Sequence, residues 1–471
     1  MTPLRTHSTL AAVAVLSLVL TACGTRLDHD TIVRAAAGNG QAGTGEGTGE
    51  TLPGADGAAD GSSGEAAAGD SGGSGSTGGR GGESDENGGR SGGSGTSGGE
   101  SNGGKTKGGS TIVIGSVGTY SGPGGVAFAQ GPRALQAWAA AVNAKGGIDG
   151  RRVQVIVMDD GADAAKGRSQ VQELVEERKA VAIVASFTTT HTLAAWKSYV
   201  EKKKVPVVGG DCSTTLWSNS PMMFSQCPAS ATAMDGLVNI GAKYGKGKKI
   251  GGLICTESDA CSHAGNHVFG DGRAAERFGL DPVYQAKISL TQPDYTAECI
   301  QARNAGVELL MVTGDPNTVA RVASSCRRQN FTPQFLQPGA TVAADTAAKP
   351  GLSDALASMP VFPFAGASSS AISEFDAAWK KYGGGRAAGP AAAQGWASAK
   401  VFEKAARGAD DISRAGLVKE LYTFRGERFG GLTVPLGYVA GKGTTDSKCT
   451  FFMRGSGGKW TAPSSGKPVC W

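Results

Sequence analysis

The residues best suited to bind a small polar molecule lie in two turns, and each turn directly follows a short apolar run. The first turn, residues 187–192, holds four threonines and His191. The second turn, residues 210–215, holds Asp211 with one serine and two threonines. Hydroxyls and free backbone N–H groups at the start of a helix either cap that helix or bind an anion. One threonine alone is more often a cap, but the cluster as a whole favours a binding site.

The apolar runs before these turns explain why their polar residues should lie close together. Residues 181–186 and 205–208 are too short for helices and are typical of buried strands in a parallel sheet. The carboxyl ends of neighbouring parallel strands open onto a common crevice, where open α/β sheets bind their ligands. The two turns therefore predict one site at adjacent strand ends.

Strands and helices alternate along the chain in two similar halves. Strands at 111–117 and 153–157 flank a helix with an apolar inner face, and the alternation restarts after residues 222–226 with a strand at 249–254. This order predicts an α/β fold with two doubly wound parallel sheets and right-handed crossovers. The loops that follow the strands should face the site: 118–125, 187–192, 210–215, 255–264, 314–317 and 337–341.

Several other classes of function lack their usual signals. Gly115, Gly118 and Gly122 do not have the spacing of a dinucleotide-binding turn, and residues 245–248 lack the frame of a phosphate-binding loop. The net charge is only +5, without basic blocks that interleave with aromatic residues, which argues against nucleic acid. No nucleophile–base pair stands out, so we expect no enzyme, cofactor or metal.

The first residues have the pattern of a targeting segment. Arg5 precedes an apolar run at 10–20 that is too short to span a bilayer comfortably. The run ends in Leu20-Thr21-Ala22-Cys23-Gly24, which resembles the lipobox of bacterial lipoproteins. That resemblance implies a signal peptide at 1–22, a lipid on Cys23, and a protein anchored to the outer face of the cell membrane. The alternative is a plain secretory signal with a chance cysteine.

The segment between this signal and the body has almost no bulky apolar side chains. Residues 36–109 consist mainly of Gly, Ser, Thr, Glu and Asp, which cannot bury enough surface to offset the entropy of ordering. We therefore predict a disordered linker over 23–109. A flexible chain of this length spans roughly 45–50 Å, enough to let an anchored domain reach a membrane partner.

Eight cysteines remain in the body, and an even number in an exported protein suggests disulfides. The alternative is a zinc site, since His263 and His267 lie one helical turn apart beside two of the cysteines. The simplest of the many possible pairings joins nearest neighbours: Cys212–Cys227, Cys255–Cys261, Cys299–Cys326 and Cys449–Cys470.

The order of elements from about 110 to 445 resembles the type I periplasmic-binding-protein fold. In particular, it resembles the leucine/isoleucine/valine-binding branch of ABC-transporter substrate-binding proteins. The most specific part is Asn143-Ala144-Lys145-Gly146-Gly147-Ile148-Asp149-Gly150, followed by a strand and Asp159-Asp160. Ile114-Gly115, Ser121-Gly122 and Asp294-Tyr295-Thr296 add to the resemblance. The lipobox fits the lipoprotein form found in Gram-positive bacteria.

The resemblance implies two lobes that close over a small ligand about a three-segment hinge. Lobe 1 would comprise residues 110–224 and 364–432, and lobe 2 residues 225–363 and 433–471. The closed form would then be recognised by the permease subunits of an ABC importer. A ligand-sensing module of the same fold, feeding a signalling or regulatory partner, is the alternative.

The resemblance also implies roles for single residues. In lobe 1, a hydroxyl and a backbone N–H at Thr189 or Thr190 would hold a ligand carboxylate, with a second contact from the loop 211–214. Lobe 2 of these proteins supplies an aromatic residue and an acid for the ammonium. Here the aromatic expected near Ala260 or Cys261 is absent, and the acid expected after Pro338 is replaced by Gly339.

We therefore expect the ligand to be a small polar organic solute, amino-acid-like or amide-like, with Asp259 or Asp315 as possible substitutes for the missing acid. The candidate ligand-binding residues are polar groups of the loops described above: Tyr120, Ser121, Thr189, Thr190, His191, Asp211, Ser213, Thr214, Asp259, Ser262 and Asp315.

Overall fold

Two β-sheets, each covered by helices, organise the part of the chain that the structure describes. The structure is a computed structural model and describes residues 109–218, 220–441, 443–445 and 447–471. The predicted signal peptide, Cys23 and the linker up to residue 108 lie outside the described residues. Within those ranges, no helix combines the length and the apolar character needed to cross a membrane.

The first sheet is fully parallel and has the strand order β2-β1-β3-β4-β5. β3 is buried along its whole length, because helices cover both faces of the sheet. The strands of this sheet are β1 (Ile112–Gly118), β2 (Val153–Asp159), β3 (Ala182–Ser186), β4 (Val207–Gly210) and β5 (Met223–Phe224).

Helices from two separate parts of the chain cover the first sheet. Leu174 and Trp196 pack with Ile183 in one apolar cluster. In a second apolar cluster, Trp138 packs edge-on against Phe402, with 5.9 Å between the ring centroids. The helices are α1 (Gly122–Phe128), α2 (Gln130–Ala144), α3 (Ala164–Glu176), α4 (Thr190–Lys203), α10 (Ser370–Tyr382), α11 (Pro390–Gly408) and α12 (Arg414–Leu421).

The second sheet has the order β14-β13-β10-β9-β8-β6-β7, with β15 paired to β13. Its pairs from β7 to β10 are parallel, whereas β13 pairs antiparallel with β10, β14 and β15. The strands are β6 (Lys249–Cys255), β7 (Asp281–Ile288), β8 (Leu309–Val312), β9 (Gln334–Pro338), β10 (Leu356–Met359), β13 (Cys449–Ser456), β14 (Lys459–Thr461) and β15 (Val469–Cys470).

The helices of the second half follow the same alternation. α5 packs against β9, β10 and β13, and α8 packs against α9. They are α5 (Ser230–Tyr244), α6 (Asp259–Phe269), α7 (Ala274–Arg277), α8 (Thr296–Asn304) and α9 (Pro316–Arg328).

The chain passes between the two halves three times: between β5 and α5, between β10 and α10, and between α12 and β13. The last passage contains a short antiparallel ribbon of β11 (Tyr438–Val439) and β12 (Gly443–Thr444). The predicted fold class, two wound α/β lobes with a three-segment connection, is confirmed. Residues 449–470, for which no strand is predicted, form the antiparallel edge of the second sheet.

The structure contains four disulfides, and they are the nearest-neighbour pairs: Cys212–Cys227, Cys255–Cys261, Cys299–Cys326 and Cys449–Cys470. Cys299 and Cys326 are fully buried and join α8 to α9. Cys449 and Cys470 are paired across β13 and β15.

We predict that replacing both Cys299 and Cys326 by alanine lowers the free energy of unfolding by about 2–4 kcal/mol, because the bond closes a medium-sized loop. Chemical denaturation of the folded body measures this. The comparison is the wild type with its disulfides reduced in denaturant, which should lower stability at least as much because the buried bond is then accessible to the reductant. Superimposable unfolding curves for the variant and the wild type would show that the two thiols are not linked.

Candidate ligand-binding site

Three loops of the first sheet are joined side by side at its carboxyl edge. The N–H of Thr119 donates to the Phe187 carbonyl at 2.8 Å, which links the loops after β1 and β3. The N–H of Asp211 donates to the Ser186 carbonyl at 3.2 Å, which links the loops after β3 and β4. These bonds follow from the parallel pairing of the three strands. Eight of the predicted site residues are therefore brought onto neighbouring loops: Tyr120, Ser121, Thr189, Thr190, His191, Asp211, Ser213 and Thr214.

A buried carboxylate fastens the first two of these loops together. Asp160 is fully buried, and its carboxylate accepts hydrogen bonds from the hydroxyls of Thr119 and Thr188, each at 2.7 Å. It also accepts the N–H of Ala162 at 2.8 Å. A buried carboxylate with three donors holds its neighbours in place, since removing a donor leaves acceptor capacity unsatisfied. Thr188 thus has a structural role.

The start of α4 provides donors that the chain itself does not use. The Thr189 hydroxyl caps the helix, because it accepts the Thr192 N–H at 3.4 Å. The first two N–H groups, those of Thr190 and His191, have no acceptor within the helix. In the described part of the chain the half-buried Thr190 hydroxyl also has no partner, and His191 is exposed. This helix start can bind an anion such as a carboxylate.

Tyr120 and Ser121 occupy the first loop, but the Tyr120 hydroxyl is already engaged. It lies 2.8 Å from the Ser116 hydroxyl and donates to the Ala185 carbonyl at 3.4 Å. Burial raises the pKa of Tyr120 above its ordinary value. Although burial alone would raise the pKa of Asp159, hydrogen bonds from Ser121 and from the Tyr120 N–H lower it overall.

The loop after β4 is held rigidly on both sides. Gly209 has a φ of 70°, and a Cβ there would lie 2.1 Å from the Ser398 hydroxyl, so only glycine fits. The buried Gln226 side chain accepts the Gly210 N–H at 3.1 Å and donates to the Gly210 carbonyl at 2.8 Å. The disulfide from Cys212 fixes the far side of the loop. Sequence reasoning missed Gln226, whose only signal was a polar residue beside an apolar segment.

The side chain of Asp211 projects from this fixed loop. Its carboxylate is half-buried and accepts the Ser213 hydroxyl at 2.5 Å and, more weakly, the Ser213 N–H at 3.4 Å. Burial raises the pKa of Asp211, and the hydrogen bonds from Ser213 only partly oppose that effect. The neighbouring Thr214 is buried, and its hydroxyl accepts the Leu216 N–H at 3.3 Å, so it acts as a cap.

The predicted residues of the second sheet are not brought into contact with this group. Asp259 and Ser262 lie exposed on α6. Asp315 caps α9, since its carboxylate accepts the N–H groups of Asn317 and Thr318 and the Thr318 hydroxyl. Among the described residues, no hydrogen bond or ion pair joins these three to the loops of the first sheet.

The zinc alternative does not fit the structure. Cys255 and Cys261 are joined in a disulfide, so neither sulfur is available as a thiolate ligand. His267 instead places its Nε2 2.8 Å from the Asp235 carboxylate, which also pairs with Arg277. The described residues contain no cluster of three potential metal ligands.

Two wound sheets joined by three chain passages, with unused polar groups at a carboxyl edge, define a two-lobed solute-binding protein. Residues 111–459 match the family model of periplasmic binding proteins, and the chain belongs to that family. As its description says, the family consists of binding proteins that act outside the cytoplasm.

Individual relatives are distant. An amino acid binding protein of Pseudomonas aeruginosa is 23% identical over 247 residues, covering 51% of this chain and 63% of the relative, so the chain spans just under two thirds of that relative's length. A branched-chain amino acid ABC transporter protein from Thermus thermophilus with bound valine has a TM-score of 0.65 at 17% identity, covering 77% of this chain and 97% of its own. A solute-binding protein from R. palustris in complex with benzoate has a TM-score of 0.62 at 14% identity, covering 77% and 98%.

We predict that Thr188→Val lowers the free energy of unfolding by about 1–3 kcal/mol, because the buried Asp160 carboxylate loses a donor. The matched control is Thr190→Val, whose hydroxyl has no partner in the described residues and should change stability by less than about 0.5 kcal/mol. Urea denaturation of both variants provides the comparison. Equal stabilities would mean that Asp160 does not fasten the two loops.

Proposed function

We propose that the protein is the substrate-binding component of an ABC importer and that it captures a small solute bearing a carboxylate. Amino-acid-like solutes are the first class to consider. The observation that carries this proposal is the start of α4, where two N–H groups and the Thr190 hydroxyl are left without partners among the described residues. These groups sit at the carboxyl edge of a parallel sheet, where α/β folds bind ligands.

The ligands of distant relatives support a carboxylate as the shared chemical group. Valine and benzoate, which are bound in the two similar structures, both carry one. The positive end of a helix dipole and two N–H donors suit such an anion, and the contact is worth more where water is excluded. Different solutes would therefore bind the start of α4 through the same group, a carboxylate. The rest of the site would select among solutes that carry one.

Binding would work by closure of the two lobes. Each lobe alone leaves the solute partly in water, and the solute gains its full set of contacts only when both lobes enclose it. A solute can shift the open–closed equilibrium only by its differential affinity for the closed form. The permease would then recognise the closed form, which ties delivery to occupancy.

The N-terminal sequence supports an anchored protein. The lipobox-like residues place Cys23 at the head of a long segment rich in glycine and serine, and the four disulfides of the body suit an oxidising compartment outside the cytoplasm. A lipid on Cys23 would keep the binding body near its permease. The segment to residue 109 would supply the reach between them.

We predict that Thr190→Val weakens binding of the tightest ligand among the twenty amino acids and benzoate by about 10- to 100-fold, because a hydrogen bond to a charged group is lost. Titration calorimetry measures the affinity. Thr423→Val, an exposed threonine that donates only to Glu420, is the matched control and should bind as the wild type does. Unchanged affinity in Thr190→Val would place the carboxylate elsewhere.

We also predict that Cys23→Ser releases the protein from the cell into the medium, because the variant has no sulfur to carry a lipid. Fractionation of expressing cells, with detection by antibody, gives the distribution. The wild type should remain with the membranes and be freed by detergent. Membrane retention of Cys23→Ser to the same extent would rule out lipid anchoring at this residue.

A further inference from the structure

We infer that Asp211 binds a cationic group of the solute, so that the first lobe alone holds both charges of a zwitterion. This inference rests on the proposed function and narrows it to ammonium-bearing solutes. It also moves the acidic contact from the second lobe, where the resemblance places it, to the loop after β4.

The first observation is the shortage of partners around the Asp211 carboxylate. Both of its donors come from one residue, Ser213, two positions along the chain. An ionised carboxylate has about four acceptor sites, so capacity remains. Among the described residues, no lysine, arginine or histidine forms a salt bridge with it. By contrast, the largely buried Glu403 is matched by Lys400, Arg407 and the Trp138 ring N–H.

The second observation is the place of Asp211 beside the proposed carboxylate site. Ser186 of β3 and Gly210 of β4 are paired, and the Asp211 N–H donates to the Ser186 carbonyl. Neighbouring strands lie about 4.8 Å apart, so the loop that leads to Thr190 and the loop that carries Asp211 are adjacent. A positive helix end and a negative side chain on adjacent loops suit a solute that carries a carboxylate and an ammonium close together.

The third observation is that the acids of the second lobe are unsuited to this role. Asp315 is used to cap α9, and Glu257 accepts the Ser289 hydroxyl and the Leu290 N–H. Asp259 is exposed at the start of α6, and Gly339 occupies the position where the resemblance expects an acid. Within the described part of the chain, the half-buried acids on the predicted site loops are Asp211 and Asp315. Asp211 accepts hydrogen bonds from one residue only, whereas Asp315 accepts three that hold the start of α9.

Energetics point the same way. Burial raises the pKa of Asp211, so the ionised carboxylate destabilises the ligand-free protein. The protein is more stable at low pH, where the carboxyl is protonated, and it loses that stability as the pH rises through the raised pKa. A bound ammonium would supply the missing counter-charge.

The test is Asp211→Asn, which keeps the size of the side chain and removes its charge. The probes are the twenty amino acids and, for each that binds, the matching carboxylic acid without the amino group, measured by calorimetry at pH 7. Asp376→Asn is the control: this exposed acid on α10 undergoes the same change of side chain but lies outside the site loops. We expect at least 10-fold weaker amino acid binding by Asp211→Asn, a change within twofold for Asp376→Asn, and a higher melting temperature of ligand-free Asp211→Asn.

Each other result overturns the inference. If Asp211→Asn binds an amino acid as the wild type does while Thr190→Val does not, Asp211 has no role, and the proposed function stands. If the wild type binds the acids without an amino group as tightly as the amino acids, the site needs no cation, and solute capture again stands. If the wild type binds no amino acid, both the inference and the amino-acid-like proposal fail.

Discussion

The candidate site depends on one buried carboxylate. Asp160 accepts the hydroxyls of Thr119 and Thr188, which belong to the loops after β1 and β3. This contact and the Thr119–Phe187 backbone bond hold the two loops against each other at the start of α4. Preorganisation of this kind lowers the entropy lost on binding, since the donors are already in position before the solute arrives. The loop after β4 is held in place in a comparable way, by the hydrogen bonds of Gln226 to Gly210 and by the Cys212–Cys227 disulfide.

These fastenings also explain why the hydroxyl-rich turn after β3 is not uniform. The Thr188 hydroxyl donates to the buried Asp160, and the Thr189 hydroxyl caps α4. Of the threonines in this turn, only Thr190 has a hydroxyl without a partner among the described residues. A cluster that reads as one feature in the sequence therefore divides into a clamp, a cap and a candidate ligand contact. We therefore expect a substitution of Thr188 to change the free energy of unfolding, and a substitution of Thr190 to change the affinity for the ligand.

Much of the fold could be predicted from the sequence because apolar runs and polar turns obey simple periodicities. The parallel strands, their order of appearance and the helices that carry Trp138 and Leu174 follow from those patterns. The antiparallel edge at 449–470 is missed: β13 and β14 form a local hairpin, but the place of that hairpin beside β10 depends on contacts distant in sequence. Site chemistry was harder still. No local pattern distinguishes a threonine whose hydroxyl binds a buried acid from one whose hydroxyl has no partner among the described residues. The sequence around Asp315 likewise does not show whether its carboxylate caps α9 or contacts a ligand.

The most direct test of the central claim is hydrogen–deuterium exchange of the backbone amides, with and without the tightest-binding amino acid. The amides of Thr190 and His191 have no acceptor within α4, so they should exchange rapidly in the empty protein and slow markedly on binding. Protection at these two amides, accompanied by protection in the loops after β6 and β8, is the result that the account predicts. Solute binding that leaves both amides unprotected would contradict it.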